Sequence, residues 1–313
     1  MKAVIINEFG GPEKLIPTNI KVPSPGKKEV LIEVKAFSIN PVDVKTRSGK
    51  GLAGRFKDKL PLILGWDISG IVREVGDEVT RFTKGDAVFG MVNFPGLASA
   101  YAQYIIAPED HITKKPSNIT HEEAAGATLA LLTAWQGLVT NAKVKQGQKV
   151  LIHSAAGGVG HYAVQIAKYL GAYVIGTSSV ENKNFVLGLG ADEHIDYKSQ
   201  RFEDIVKDAD FVLDTMGGDN ALRSLLSTKK GGTVISIPSG LQEGLKEKAE
   251  ELGINAYNFL VTSNGKDMEE LAKLLEKGII KSHISQTYSF DDIQSAHKQI
   301  ETGKTRGKIV VTL

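Results

Sequence analysis

The chain contains no cysteine among its 313 residues. That absence excludes disulfides, thiolate nucleophiles and cysteine-ligated metal, and it fits an intracellular protein without requiring one. An excess of charge of one sign is also missing: 38 Lys and Arg stand against 36 Asp and Glu, a formal charge of +2. Such a balance provides no broad field to hold nucleic acid or anionic lipid, although a local basic patch can still hold a phosphate. No stretch approaches the roughly 18 consecutive apolar residues that mark a membrane span. The opening run from Met1 turns polar by Asn7 and Glu8, without the longer apolar core and small-residue cleavage site of a secretory signal. The expectation is a soluble, cytoplasmic protein with neither nucleic acid nor membrane as partner. With 42% hydrophobic and 24% charged residues the composition is globular. The length exceeds the roughly 250 to 300 residues at which one core usually stops growing, so two domains are expected.

Up to about residue 110 the chain shows short β-rich runs separated by Gly, Pro and Asp, most clearly at 30–34, 68–75 and 86–90. That spacing predicts a compact, mostly antiparallel β domain. The texture changes at Thr120, which is followed three residues later by Glu123 and then by an apolar run over 124–138. This is a helix-start signature, and it predicts one long helix. From residue 149 onward strands and helices alternate: strands at 149–153, 173–177, 193–195, 210–214 and 233–237, with helices near 160–170, 181–187, 202–207, 220–226 and 244–252. Such alternation calls for a Rossmann-type, doubly wound parallel sheet, and an α/β protein overall. A strand at 255–262, a helix at 266–276 and a terminal strand at 307–313 complete the expected order. There is no internal repeat, low-complexity tract or long linker.

Between the first of those strands and its helix lies the turn Ala155-Ala156-Gly157-Gly158-Val159-Gly160. A Gly-rich hexamer alone is weak evidence, since such clusters occur in many loops. Here a buried-strand pattern precedes it and a helix pattern follows. Gly157 lets the backbone approach a pyrophosphate, Gly160 lets the helix pack on the strand, and the helix start offers unpaired N–H groups to the anion. Ala155 replaces the usual first glycine. An NAD site would place Asp or Glu at the end of the second strand, roughly 20 residues beyond the turn. This strand instead ends Gly176-Thr177-Ser178-Ser179. Hydroxyls there can donate to a 2′-phosphate, and Lys183 can bring a positive charge to it, so NADPH is the expected cofactor. Two plainer readings stand beside this one: the serines cap the next helix, or Glu181 takes the acidic role of an NAD site.

The blocks at 38–45, containing Asn40-Pro41-Val42-Asp43, and at 62–70, 75–79, 85–90, 122–128, 214–218, 261–265 and 307–311 carry a further signal. In this order, together with the turn, the chain resembles the medium-chain dehydrogenase/reductase superfamily, in particular its zinc-free quinone oxidoreductase and alkenal/enone reductase branch. The resemblance implies a GroES-like, mostly antiparallel domain over 1–122, an NADPH-binding Rossmann domain over 123–258, and a return segment over 259–313 that completes the first domain. It also implies a homodimer. Zinc-dependent alcohol dehydrogenases of the superfamily hold their catalytic metal through a Cys and a His at positions that are Asn40 and Trp66 here, and the Cys-rich lobe for structural zinc is missing. No metal is therefore expected.

Without a Lewis acid the chemistry narrows to acceptors that are already activated. A quinone or an α,β-unsaturated carbonyl takes hydride at carbon because the electrons delocalise onto oxygen. The protein then aligns donor and acceptor and supplies hydrogen bonds to the developing oxyanion. By position in the family motif, Asn40 and Lys45 are the candidates to face the nicotinamide and the acceptor, with Asp43 in support. Equally simple readings make Asn40 a turn former, Asp43 a helix cap and Lys45 a solvated side chain. For the cofactor the resemblance adds Thr128 to the turn residues Ala156, Gly157, Gly158 and Val159 and to Thr177, Ser178 and Lys183. It also points to Tyr197, Ser236 and Phe259. The expected protein is an NADPH-dependent reductase of small electrophiles; the alternative is a non-catalytic NADPH-binding redox sensor on the same fold.

Overall fold

The computed structural model describes residues 1–238 and 242–313. They divide into two compact units, Met1–Leu132 with Thr262–Leu313, and Thr133–Val261. The protein is α/β.

In chain order the first unit begins with β1 (Lys2–Ile6), β2 (Ile16–Asn19), β3 (Glu29–Ile39), α1 (Pro41–Arg47), β4 (Leu62–Ile63) and β5 (Asp67–Val75). It continues through β6 (Ala87–Met91), β7 (Tyr104–Pro108), β8 (Ile112–Lys114), α2 (His121–Gly126) and the start of α3 (Leu129–Trp135). The long strand β3 is its spine, antiparallel to β5 along one side and to β7 over its first half. Val30, Ile32, Val34, Ala36 and Phe37 of β3 are all buried. This is why the segment reads as a nearly continuous apolar run rather than as a simple alternation.

The apolar stretch 124–138 is not one helix. After α2 ends at Gly126, Ala127 and Thr128 leave the helical path, α3 restarts at Leu129, and a π-helical turn follows over Gln136–Asn141. The cause is polar. Thr128 Oγ1 donates back to Ala125 O at 2.8 Å, and the Leu129 N–H donates to Asp67 Oδ1 at 2.9 Å. A helix start leaves its first N–H groups without intrahelical partners. Asp67, distant in sequence, acts as the cap that lets a new helix begin there.

The second unit contains β9 (Lys149–Ile152), α4 (Gly160–Tyr169), β10 (Tyr173–Ser178), α5 (Lys183–Gly188), β11 (Glu193–Asp196) and α6 (Phe202–Ile205). It continues with β12 (Ala209–Asp214), α7 (Asp219–Leu225), β13 (Thr228–Ser236), α8 (Leu245–Leu252) and β14 (Asn255–Asn258). All its strand pairs are parallel, in the order β11-β10-β9-β12-β13-β14. This is the doubly wound order, and the direction of winding reverses between β9 and β12. Leu151, Ile175, Val212 and Val234 from the sheet pack with Phe202, Leu225 and Leu245 in one core cluster. The strand expected over 255–262 stops at Asn258. One further bond, Phe259 N–H to Ser236 O at 3.1 Å, extends the pairing before the chain leaves the sheet.

The chain then returns to the first unit through α9 (Gly265–Glu276), β15 (Ile284–Ser289), α10 (Ile293–Glu301) and β16 (Lys308–Thr312). Strand β16 pairs antiparallel with the end of β3 and parallel with β15. The sequence reading has neither β15 nor α10. Strand β15 is polar and largely exposed, so it lacks the apolar alternation of a strand. Helix α10 buries Ile293, Ala296 and His297 at the spacing of a helix face, a short pattern easily passed over.

Candidate cofactor and acceptor sites

Because the strands of the second unit are parallel, their C-terminal ends share one edge. That edge, at the reversal point, is where such sheets bind ligands. The turn expected to hold phosphate sits there, between β9 and α4. Ala155 N–H donates to Thr177 O at 2.8 Å and so ties the turn to β10, while Gly157 N–H closes it on Ser154 O at 2.8 Å. A Cβ on Gly160 would lie 2.1 Å from Ser154 O, so only glycine allows α4 to start this close to the strand end. The replacement of the usual first glycine by Ala155 has its own accommodation. A Cβ on Gly176 would meet the Ala155 Cβ at 2.8 Å, so the missing side chain on β10 makes the room. No side chain caps α4. The N–H groups of Gly158 and Val159, just ahead of α4, and of Gly160, its first residue, form a helix start suited to an anion, and the residues present fit a dinucleotide pyrophosphate.

His153 lies beneath the turn, wholly buried, with Nδ1 3.1 Å from Thr177 Oγ1 and Nε2 3.1 Å from Ser224 Oγ. Burial pushes its pKa down to about 4, so it is a neutral bridge that orients Thr177. At the end of β10, Ser178 Oγ is 2.8 Å from His194 Nε2 on β11. Burial, and then the nearby charge of Lys183, hold His194 below the ordinary histidine range against the pull of Asp196. Lys183 and Tyr197 are exposed beside this pair, Tyr197 at 60%. Glu181 is engaged: hydrogen bonding from Ser179 and from its own backbone holds its carboxyl down near 2, and Lys198 Nζ lies 3.4 Å away. His194 is a member of this group that the sequence reading misses, since only the pairing of β10 with β11 brings it to Ser178.

Ser236 and Phe259 fall at the same edge, but in a supporting arrangement. Asp214, buried at the end of β12, accepts Ser236 Oγ at 2.9 Å, Asn220 Nδ2 at 2.9 Å and the backbone N–H groups of Met216 and Gly217 at 2.9 and 3.0 Å. The Ser236 hydroxyl is thus turned onto Asp214, where it shapes the loop after β12. Phe259 is half-buried just past β14.

In the first unit the structure separates the three residues nominated for the acceptor. Asn40 is buried ahead of α1, with Pro41 as the first helical residue. Its amide nitrogen donates to Asp67 Oδ2 at 2.7 Å, and its amide oxygen accepts from Lys308 Nζ. Asp43 is wholly buried and accepts the Asn40 N–H at 2.6 Å, which makes it a cap of α1. Its other oxygen, Oδ1, makes no well-formed hydrogen bond, although the Tyr101 hydroxyl lies close enough to lower the Asp43 pKa slightly. Burial above all, opposed by the Asn40 N–H and reinforced by the charge of Asp67, raises its pKa to about 7. Lys45 is exposed in the last turn of α1. Thr128, nominated for the cofactor, is buried in the break between α2 and α3.

Behind Asp43 runs a second buried polar chain. Tyr101 Oη lies 3.0 Å from His297 Nε2, and Arg47 Nη1 lies 3.1 Å from His297 Nδ1; Arg47 also pairs with Glu301. Burial, then the Arg47 charge, brings the His297 pKa down to about 3. Arg47 donates, so Nδ1 is the acceptor and Nε2 carries the proton toward Tyr101. Trp66 donates its indole N–H to Gly96 O at 2.6 Å and offers no lone pair to a metal. Among the described residues no group of three or more His, Asp or Glu is placed to hold a metal ion.

The chain resembles known proteins over its whole length. Residues 26–117 match the family model of the alcohol dehydrogenase GroES-like domain, and residues 189–311 match that of the zinc-binding dehydrogenases. The 2-methylene-furan-3-one reductase of Solanum lycopersicum is 33% identical over 99% of this chain and 79% of its own. The chloroplastic NADPH-dependent alkenal/one oxidoreductase of Arabidopsis thaliana shows the same identity over the same shares. Among solved structures, the quinone oxidoreductase from Coxiella burnetii is 37% identical and superposes with a TM-score of 0.95 over 100% of this chain and 99% of that one. The chain belongs to the medium-chain dehydrogenase/reductase superfamily, in its zinc-free quinone oxidoreductase branch.

Proposed function

We propose that the protein is a zinc-independent, NADPH-dependent oxidoreductase that delivers hydride to a quinone or an α,β-unsaturated aldehyde or ketone. The observation that carries this reading is Asn40: at the position that the family resemblance sets against a zinc ligand, the chain holds an amide fixed between a carboxylate and an ammonium. An amide is a hydrogen-bond donor of moderate strength and no Lewis acid. It can steady an oxyanion that is already delocalised, but it cannot replace zinc in drawing hydride onto a simple ketone.

NADPH, when bound, supplies the hydride. The turn at Ala156, Gly157, Gly158 and Val159 is proposed to hold its pyrophosphate, with Thr177, Ser178, Lys183 and Tyr197 around the adenosine 2′-phosphate and Thr128, Ser236 and Phe259 as further contacts. Lys183 supports the phosphate over an NAD ribose, because its positive charge lies near His194 and Ser178 while Glu181 is engaged by Ser179 and Lys198. Asn40 is proposed to meet the acceptor oxygen, Lys45 to meet the acceptor at its exposed side, and Asp43 to act only by holding Asn40. Relatives named for alkenal/one and quinone reduction support the acceptor class.

The test is NADPH consumption with a panel of a quinone, 2-alkenals and simple ketones. Reduction of the first two with none of the third is expected; tight NADPH binding without turnover on any acceptor sinks the reading in favour of a redox sensor. A homodimer and a cytoplasmic location belong to the same proposal. Among the described residues β14 pairs on one side only, which leaves an edge for a second copy, and gel filtration at the monomer mass would remove the dimer. No described helix is long and apolar enough to cross a membrane.

A further inference from the structure

Asp67 opens β5 with no exposed surface, and three donors converge on it. Ser38 Oγ and Asn40 Nδ2 donate to Oδ2 at 2.6 and 2.7 Å, and the Leu129 N–H donates to Oδ1 at 2.9 Å. Lys308 Nζ lies 4.0 Å from the same carboxylate and donates to Asn40 Oδ1 and, at 3.3 Å, to Ile39 O; Lys308 is itself only 3% exposed. Burying two opposite charges is expensive, and well-packed apolar residues would join β3, β5 and β16 at least as firmly. What apolar residues cannot do is orient an amide. Lysine is a donor only and an ionised carboxylate an acceptor only. A flipped Asn40 would set its NH2 against the ammonium and its oxygen against the carboxylate, so one orientation survives. The other carboxylate oxygen works on the backbone. It takes the Leu129 N–H that a continuous helix would have used internally, and so holds open the break in which Thr128 sits.

We propose that Asp67, paired with Lys308, is a positioning residue that sets the Asn40 amide and the Thr128 backbone in one fixed relation, so that a single carboxylate aligns an acceptor contact and a cofactor contact. This rests on the roles given to Asn40 and Thr128 above.

The experiment compares Asp67→Asn with the exchange variant Asn40→Asp/Asp67→Asn, measuring NADPH affinity by fluorescence titration, quinone kcat and KM separately, and melting temperature. In Asp67→Asn an NH2 faces either the Asn40 NH2 or the Leu129 N–H, so one donor meets another in both orientations. Expected are a fall in kcat of roughly a hundredfold with little change in quinone KM, and NADPH binding weakened about tenfold. The exchange variant restores acceptors for Lys308 and for Leu129, but the carboxylate that replaces the Asn40 amide has no N–H to donate. Its melting temperature and NADPH affinity should return to the wild-type values while kcat stays low. A folded Asp67→Asn with wild-type kcat or wild-type NADPH affinity overturns the proposal. So does an exchange variant that regains kcat or fails to regain NADPH affinity, and so does failure of both variants to fold, which would mark a merely structural pair. Should the wild type bind NADPH and reduce no acceptor, the functional reading fails on its own, and the affinity arm still reports whether Asp67 governs Thr128.

Discussion

At the C-terminal edge of the parallel sheet the candidate cofactor groups follow one another along a single alternating stretch. In the first unit Asn40, Asp67, Leu129 and Lys308 come from four widely separated segments. The sheet edge is made mostly of backbone: a tight turn, an uncapped helix start and hydroxyls at strand ends. The buried cluster is made of side chains, two of them oppositely charged, whose arrangement depends on every partner being present. A backbone cradle is broken by added volume, and a charged cluster by an altered donor or acceptor. The two regions should therefore fail under different substitutions.

The sharpest break in the cradle is Gly160→Val. Its Cβ would sit 2.1 Å from a backbone oxygen that cannot move aside. Loss of measurable NADPH binding is expected, with destabilisation of about 2–3 kcal/mol in urea unfolding. Gly157→Ala provides the contrast, since its nearest neighbour is the Ser154 side-chain oxygen at 2.8 Å, which can rotate, and a markedly smaller loss should follow.

Next in size is the response to pH, read through the buried titratable groups of both units. The Asp43 pKa is raised from 3.8 to about 7, so between those values the folded protein binds more protons than the unfolded chain. That contribution to stability is present at low pH and is lost as pH rises toward 7. Asp43→Asn should remove the loss, gaining on the order of 2–4 kcal/mol above pH 7 and little near pH 4, as read from melting temperature against pH. His153 and His297 act in the opposite sense. Their pKa values fall from 6.5 to about 4 and about 3, so their contribution is complete above pH 6.5 and is lost as pH drops through those values. Unchanged pH dependence in Asp43→Asn would mean that this carboxyl is ionised in the folded state.

Lys183→Ala should weaken NADPH about tenfold and leave NADH almost unaffected; equal losses would show that Lys183 does not read the phosphate. The smallest effect belongs to Lys45→Ala. An exposed charge of this kind changes acceptor kcat/KM by no more than about fivefold, and a drop comparable to that of Asp67→Asn would place Lys45 among the groups at the reacting atoms.

The cradle was legible because its requirements are local. Gly157 and Gly160 stand between an apolar strand pattern and a helix pattern, and Thr177 and Ser178 close the next strand within the same stretch. The break at Thr128 was not legible, because residues 124–138 are apolar enough to read as one helix and the carboxylate that interrupts them lies 62 residues from Leu129. Lys308 could be quoted as part of a motif, but its partner Asn40 is 268 residues away and no spacing rule connects them. His194 is invisible for the same reason on a smaller scale, since only the neighbouring strand brings it to Ser178.

The sequence by itself determined that the chain offers no cysteine thiol, that a parallel sheet carries a dinucleotide turn, and that an amide and an indole stand at Asn40 and Trp66. Each of these follows from residue type or from short-range geometry, which the chain carries wherever it folds. Only the tertiary structure decided which way the Asn40 amide points, that Asp43 is a buried cap beside Tyr101, that Lys45 stands in solvent, and that Asp67 holds two candidate contacts at once. Those properties depend on which distant charges are buried together, and in a low-dielectric interior the partners present decide the orientation and protonation of each group.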